Sequence, residues 1–404
     1  MMDELYLQQP PKKQLFYKVL SFTLSIAGLY WYELWDYKFP KLVKFFLCIV
    51  HYTVIIFTPI CVTLQMLYIY TRWNNIAFST HGTIFTIVPI TFLILTKVLS
   101  AQKESYRRLM KTFLQEIHLC NFGSNSYMKQ RAVEVEKYSR YLATFFFVFL
   151  VVDWALWTIV PIVFNLKNSK AIENKEIPLK TCFYMWLPFD YEHEYKYWVI
   201  THIANSTLIA LGCIVVTSYD TINYSIVFHL IGHIKSLKHL IKTNISQNLS
   251  DDETKRGLVE VIRYHCFVLK IFGEIERAFG INVTGNYLYN LIADSLLLYR
   301  LMLGDKENKL MYGVMLLVFM GGLIVMTLIL EEVRRQTFDI PQTVYDMPWE
   351  KMSVSNQKIV VIMLARTQPT LEYKSAGGLK AGVNPTIQII KSTFSYYVML
   401  KSSL

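Results

Sequence analysis

The C-terminal segment carries a polar stripe of the kind that can line a water-filled path. Steps of four and three residues place one polar helix face, broken by a single methionine, at Gln388, Ser392, Ser395, Met399 and Ser402, with Ser403 next in the chain. The opposite face is apolar. An amphipathic helix that crosses a membrane can line a water-filled pore when several copies surround an axis, and Met399 would then form an apolar gate. Burial of the polar face against neighbouring helices remains the alternative.

A second group of side chains combines aromatic rings with hydroxyl and imidazole groups at one depth of the predicted helix bundle. This mixture describes a pocket for a small amphiphile, although aromatic residues at span ends also serve as interfacial anchors. A carboxylate near the middle of a span is costly, so Asp153 should face the bundle interior and hold a partner or a proton. A structural hydrogen bond is its alternative role. The candidate ligand-binding residues are Phe78, His81, Phe85, Asp153, Trp154, Trp157, Thr158, His202, Ser206, Met311, Tyr312 and Met315.

Enzymatic motifs are missing from the sequence. It contains no HExxH, no glycine-rich phosphate loop, no GxSxG and no Cys/His zinc spacing. The nearest approach to a metal cluster is Glu192-His193-Glu194, which we interpret as solvated loop charges. The six cysteines suggest no disulfide framework. We therefore expect neither an enzyme nor a metal or other cofactor.

The composition predicts an all-α polytopic membrane protein. Of 404 residues, 53% are hydrophobic and only 18% are charged, which is too apolar for a soluble or disordered protein. A net charge of +11 would indicate nucleic acid binding in a soluble protein, but here the distribution of cations across the membrane matters. Six apolar stretches and a more polar seventh predict transmembrane helices at Phe45–Tyr68, Ile76–Thr96, Tyr141–Phe164, Trp198–Ser218, Ala278–Tyr299, Leu310–Leu330 and from Pro385 to the C-terminus.

The distribution of lysine and arginine predicts the orientation. Thirty of the 41 lie in the N-terminal segment and in alternate loops, and ten lie on the opposite side. Since cationic loops stay in the cytoplasm, the N-terminus is expected inside and the C-terminus outside. We therefore divide the chain into 1–44, a cytoplasmic segment with an interfacial helix at Leu20–Trp31; 45–330, spans one to six with the outer pocket and cytoplasmic extensions; 331–383, a cytoplasmic anchor with a helix at Thr343–Arg366 and a glycine-rich turn; and 384–404, the seventh span.

The C-terminal third resembles the end of insect odorant receptors. The resemblance rests on Met347-Pro348-Trp349, Leu364-Ala365-Arg366-Thr367-Gln368-Pro369, Ser375-Ala376-Gly377-Gly378 and the run Lys391-Ser392-Thr393-Phe394-Ser395-Tyr396-Tyr397-Val398-Met399-Leu400. Two positions depart from the family pattern, which usually has an aromatic residue at Thr386 and a tyrosine at Phe394. The rest of the chain matches this family in span number and topology.

The resemblance implies a tuning subunit of an odorant-gated, nonselective cation channel. It further implies assembly with the odorant co-receptor into a tetramer in the plasma membrane of sensory dendrites, surrounded by lipid, with no nucleic acid partner. The seventh helices would line the pore with Met399 at the gate, and a small neutral volatile would bind in the outer half of the bundle. A gustatory receptor of the same fold and a metabotropic receptor are the alternatives, and a transporter is a third.

Overall fold

The computed structural model describes residues 7, 9–27, 35–72, 78–122, 126–245, 249–303 and 309–402, without the side chains of residues 78–83, 85, 86, 303 and 400. The described chain is helical almost throughout. In chain order the helices are α1 Leu15–Ile26, α2 Lys41–Arg72, α3 Phe78–Ala101, α4 Glu104–Thr112, α5 Ser126–Lys167, α6 Ser169–Glu173, α7 Tyr195–Asn244, α8 Asp251–Leu303, α9 Lys309–Phe338, α10 Ile340–Tyr345, α11 Val354–Thr367 and α12 Val383–Ser402.

The predicted spans coincide with long helices of the structure. Helices α2, α3, α5, α7, α8, α9 and α12 contain them in order, apart from residues 76, 77, 403 and 404, which lie outside the described residues. By length and composition alone, four described helices are apolar enough to cross a membrane: α2, α5, α7 and the helix that begins at Lys309. The prediction of an all-α, multi-pass membrane protein is confirmed.

Helices α7 and α8 extend far beyond their predicted spans. They contain 50 and 53 residues, so each is about 75–80 Å long at 1.5 Å per residue, against about 30 Å of hydrocarbon. The extension of α7 is buried, with Leu230, Ile234 and Leu237 fully covered. Helix α8 begins with a capping box, in which the backbone N–H of Ser250 donates to Glu253 and that of Glu253 donates back to the Ser250 hydroxyl. Apolar packing therefore continues outside the predicted membrane.

The predicted anchor helix Thr343–Arg366 is wrong as a single element. The structure has α10, a 3₁₀ turn at Trp349–Lys351 and α11 in its place. Pro348 explains the break, because proline has no backbone N–H and disfavours the helical conformation of the residue before it. Helix α11 restarts at Ser353, whose hydroxyl accepts from the backbone N–H of Asn356. The Asn356 amide in turn donates to Asp251 at 2.7 Å, which ties α11 to the start of α8.

A short hairpin returns the chain from α11 to α12. Lys374 and Lys380 form an antiparallel bridge, and the turn between them uses Gly377 and Gly378 at φ values of 95° and 81°. The backbone N–H of Ala376 donates to the carbonyl of Gly280 on α8 at 3.0 Å. Helix α12 then packs mainly against α8 and also against α9. The hairpin therefore determines where α12 starts along α8.

Candidate functional site

A cavity of about 100 Å³, partly open at the exposed Phe57 side chain, lies among α2, α3, α5, α7 and α9. Asp153 and Trp157 line it, together with Leu150 one turn earlier, because spacings of three and four residues put these side chains on one face of α5. All three are at least 96% buried. The cavity lies near the middle of the predicted spans, deeper than the outer-half pocket we expected. Two of the twelve predicted ligand-binding residues are therefore brought together at one cavity.

The other residues that line the cavity were not predicted from the sequence. They come mainly from α2, α3 and α7, with Phe183 from the loop before α7 and Phe319 from α9, and the polar or sulfur-containing residues among them are Thr53, Thr58, Cys61, Gln65, Thr91 and Cys213. A signal was available on α2, where Val54, Thr58, Cys61 and Gln65 recur at helical spacing within an apolar span. A glutamine inside a predicted span is unusual enough to have marked that face.

Four other predicted residues form a polar contact between α5 and α7. The Trp154 indole donates to the backbone oxygen of Ser206 at 3.1 Å, and the Thr158 and Ser206 hydroxyls are 2.9 Å apart. The His202 ring nitrogen Nε2 lies 3.1 Å from the Thr158 carbonyl oxygen, and its other nitrogen faces the Cys182 thiol. These groups satisfy one another, so their hydrogen-bonding capacity is largely used within the fold.

The remaining predicted ligand-binding residues divide between α9 and α3. Met311, Tyr312 and Met315 are buried in the same apolar cluster as Trp157, and Phe319, one turn further along α9, reaches the cavity. The backbone of α3 includes Phe78, His81 and Phe85, but their side chains lie outside the described residues. Trp154 also lines a separate apolar groove of about 390 Å³ between α1, α5 and α7. Leu150 and Cys213 line both this groove and the cavity.

The polar stripe of α12 is left mostly uncovered by its own chain. Gln388, Ser395 and Ser402 are exposed, Ser392 is half-buried and Met399 is 56% exposed, while Ser403 lies outside the described residues. The face of α12 that packs against its own chain is neither the polar stripe nor the opposite apolar face. It is formed by Thr386, Ile389 and Thr393, which are at most 8% exposed. The described chain therefore does not bury the polar stripe against its own helices.

A buried polar cluster lies at the level where α7 extends beyond its predicted span, and the sequence did not predict it. The Glu136 carboxylate accepts from the Tyr17 hydroxyl and the His118 imidazole, each at 2.7 Å, and His229 Nε2 lies 3.7 Å away. Burial alone raises the pKa of Glu136, but the hydrogen bond from His118 and the nearby His229 ring outweigh it and hold that pKa well below its ordinary value. Burial also lowers the pKa of His229 to about 3.

The same cluster has the residue types of a metal site, since ligand atoms of His118, Glu136 and His229 lie within 4.8 Å of one another. The hydrogen bonds at Nδ1 of the two histidines argue against metal binding. Nδ1 of His118 accepts from the backbone N–H of Cys120, and Nδ1 of His229 accepts from that of Leu119. The proton of each neutral ring is therefore on Nε2, the atom a metal would need, whereas imidazoles that bind metals usually donate from their other nitrogen. The arrangement fits a hydrogen-bonded carboxylate.

The comparison with known families decides the assignment. The family model described as 7tm Odorant receptor matches residues 75–394, which is well over half of the chain. The chain belongs to the odorant receptor family. The match covers both the cavity-lining segments from α3 to α9 and most of α12, and the family's members are receptors rather than enzymes.

Two curated relatives and a solved structure place this odorant receptor among its neighbours. It is 23% identical to Odorant receptor 33b of Drosophila melanogaster over 260 residues and 19% identical to Odorant receptor 30a over 224 residues. These matches span 61% and 54% of the chain, and 66% and 58% of the relatives' lengths. The insect olfactory receptor OR5 from Machilis hrabei shares the fold, with a TM-score of 0.78 over 95% of this chain and 97% of that one at 14% identity. The same receptor has been solved in complex with eugenol, at a TM-score of 0.78 and 13% identity.

Proposed function

We propose that this odorant receptor is the tuning subunit of an odorant-gated, nonselective cation channel. A small volatile binds in the cavity lined by Asp153 and Trp157, and the channel opens along the polar face of α12. The receptor assembles with odorant co-receptor subunits, as a tetramer, in the plasma membrane of sensory dendrites. Its N-terminus is cytoplasmic and its C-terminus extracellular.

One observation carries the channel part of this proposal. Helix α12 packs through Thr386, Ile389 and Thr393, which leaves the stripe from Gln388 to Ser402 uncovered on a helix within a predicted span. Uncovered serine and glutamine side chains are unfavourable against lipid, so the stripe needs water or other subunits beside it. A pore surrounded by several such helices supplies both, and the exposed Met399 provides an apolar constriction that gates by dewetting.

Two observations support the ligand part. The cavity lies between helices, is largely apolar and is lined by a few polar side chains, which is the usual make-up of a small-molecule site. The structural neighbour from Machilis hrabei is known in complex with eugenol, and it shares the fold of this chain.

Whole-cell recording tests the proposal directly. Cells that express this chain with a co-receptor should give an odorant-evoked inward current to a broad volatile panel that cells with co-receptor alone do not give. A metabotropic receptor predicts a cytoplasmic C-terminus instead, so a tag placed after Leu404 should be labelled on intact cells if the channel topology is correct. Saturable uptake without conductance would support a transporter and contradict the proposal.

A further inference from the structure

The hydrogen-bonding groups of the cavity define the kind of ligand it can accept. Among the described residues that line it, two buried polar atoms have no hydrogen-bond partner: Oδ1 of Asp153 and Oε1 of Gln65. Oδ1 of Asp153 is an acceptor when the carboxyl group is ionised. Oε1 of Gln65 is an amide oxygen and is always an acceptor. Asp153 is 4% exposed and Gln65 is 2% exposed, so neither is satisfied by bulk water.

The threonines that line the cavity add to this excess of acceptors. The hydroxyls of Thr53, Thr58 and Thr91 donate to the carbonyl oxygens of Ile49, Val54 and Ile87, each four residues earlier in its own helix, at 2.8, 2.6 and 3.1 Å. A hydroxyl that has donated its proton presents only lone pairs to the cavity. A ligand that offers only acceptors would leave these groups unmatched.

We propose that the cavity selects a ligand with a hydroxyl group, an alcohol or a phenol, which donates a hydrogen bond to Asp153. This inference rests on the proposed function and names the ligand class for the same site. A hydroxyl both donates and accepts, so it satisfies Asp153 whether the carboxyl group is ionised or protonated. An ester, ketone or ether can only accept a hydrogen bond, so it pairs with Asp153 only when the carboxyl group is protonated.

The rest of the cavity favours a neutral donor over an ammonium ion. Its walls are mainly aliphatic and aromatic side chains from α2, α3 and α7. A protonated amine would have to leave water to reach the buried Asp153, and the desolvation of the ammonium charge offsets much of its attraction to the carboxylate. A hydroxyl gains a charge-assisted hydrogen bond without that cost.

The experiment uses matched ligands on cells that express the full chain with a co-receptor. A broad panel first identifies the strongest agonist, and a series of equal chain length then compares the alcohol with its methyl ether, aldehyde, acetate ester and primary amine. We expect the strongest agonist to carry a hydroxyl, and methylation of that oxygen to raise the half-maximal concentration about tenfold or more.

Substitutions then assign the preference to the carboxylate. Asp153→Leu should raise the half-maximal concentration of the alcohol about tenfold and leave that of the ether within about threefold, because only the alcohol loses a hydrogen bond. Asp153→Asn adds an N–H donor, so the ether and the aldehyde should gain relative to the alcohol. Val152→Leu, on the adjacent 44% exposed position of α5, is the matched control and should change neither.

Each other outcome has a distinct meaning. An agonist without a donor group, an ether as potent as its alcohol, or an amine about tenfold more potent than the alcohol would overturn the inference and leave the proposed channel intact. A panel that evokes no current above co-receptor alone would overturn the proposed function and the inference with it. If Asp153→Leu fails to reach the cell surface by surface labelling, the altered ligand order of Asp153→Asn decides, since a folding defect lowers all responses together.

Discussion

Neighbouring residues of α5 have different roles because successive side chains point about 100° apart around a helix. Asp153 and Trp157 line the cavity, while Trp154 and Thr158 contact Ser206 on α7. Residue type and depth were enough to predict that all four face the protein interior. They were not enough to separate ligand contact from helix contact, because that depends on which neighbour lies against each face.

The contact between α5 and α7 leads to a prediction at the residue scale. Ser206→Ala removes the hydroxyl that Trp154 and Thr158 share, and should lower the free energy of unfolding by about 1–2 kcal/mol. The order of odorant potencies should not change. Thermal unfolding of the detergent-solubilised receptor measures the first effect. Thr207→Val is the control, since Thr207 is exposed and donates only within α7. A changed odorant order with unaltered stability would contradict this role.

Two buried imidazoles predict a dependence of stability on pH. Burial is the main reason that the pKa of His229 falls to about 3 and that of His233 to about 4. The folded protein therefore keeps both rings neutral at pH values where the unfolded chain, with an ordinary pKa of about 6.5, takes up protons. Stability should be complete above about pH 6.5 and fall as the pH decreases toward 4, by about 2 kcal/mol per histidine at pH 5.

The pH effect can be assigned with substitutions. Melting temperatures between neutral pH and pH 5 should fall steeply for the unmodified receptor and less steeply for His229→Gln, which cannot titrate. Thr207→Val, at an exposed position of α7 without a titratable side chain, should keep the full pH dependence. If the melting temperature of His229→Gln falls with pH as steeply as that of the unmodified receptor, the fold does not exclude the charged imidazole at that position.

At the scale of elements, hydropathy and helical periodicity were sufficient to predict the seven long helices, and they failed where local chemistry decides. Pro348 breaks the anchor helix, although the apolar spacing on either side is continuous. Glu192, expected in solvent, is 7% exposed and accepts from the Tyr68 hydroxyl at 3.0 Å, with Arg72 at 3.5 Å. Its partners lie more than 100 residues away in the sequence, so no local pattern could indicate them.

The junction of α9 and α12 gives a prediction at the element scale. Thr386, where the family usually has an aromatic residue, is buried with its hydroxyl 2.6 Å from that of Thr327. We expect Thr327→Val and Thr386→Val to be non-additive in thermal unfolding, with a coupling of about 0.5–1.5 kcal/mol, because either change alone already breaks the shared hydrogen bond. The pair Thr63→Val and Thr207→Val, two exposed threonines bonded within their own helices, should be additive. Additivity at Thr327 and Thr386 would contradict a direct contact between α9 and α12 at this point.

At the scale of the whole molecule, the proposed orientation rests on the charge distribution, and the proposed pore rests on the incomplete packing of α12. The excess of lysine and arginine on one side predicts which ends are cytoplasmic. The long buried extensions of α7 and α8 lie on that side, and so does the cluster around Glu136. The polar stripe was predictable from periodicity, but its exposure was not. Any of three faces of α12 could pack against α8, and only side-chain packing determines that Thr386, Ile389 and Thr393 do so.

Cysteine accessibility at α12 tests the central claim that this helix lines a pore open to the cell exterior. Met399→Cys, expressed with a co-receptor, should react with a membrane-impermeant thiol reagent applied outside, and the odorant-evoked current should change irreversibly. The unmodified chain reports the background from its native cysteines. Leu379→Cys, on the 70% exposed turn before α12, should react only after permeabilisation. If Met399→Cys also reacts only after permeabilisation, or reacts from outside without altering the current, α12 does not line an extracellular-facing pore.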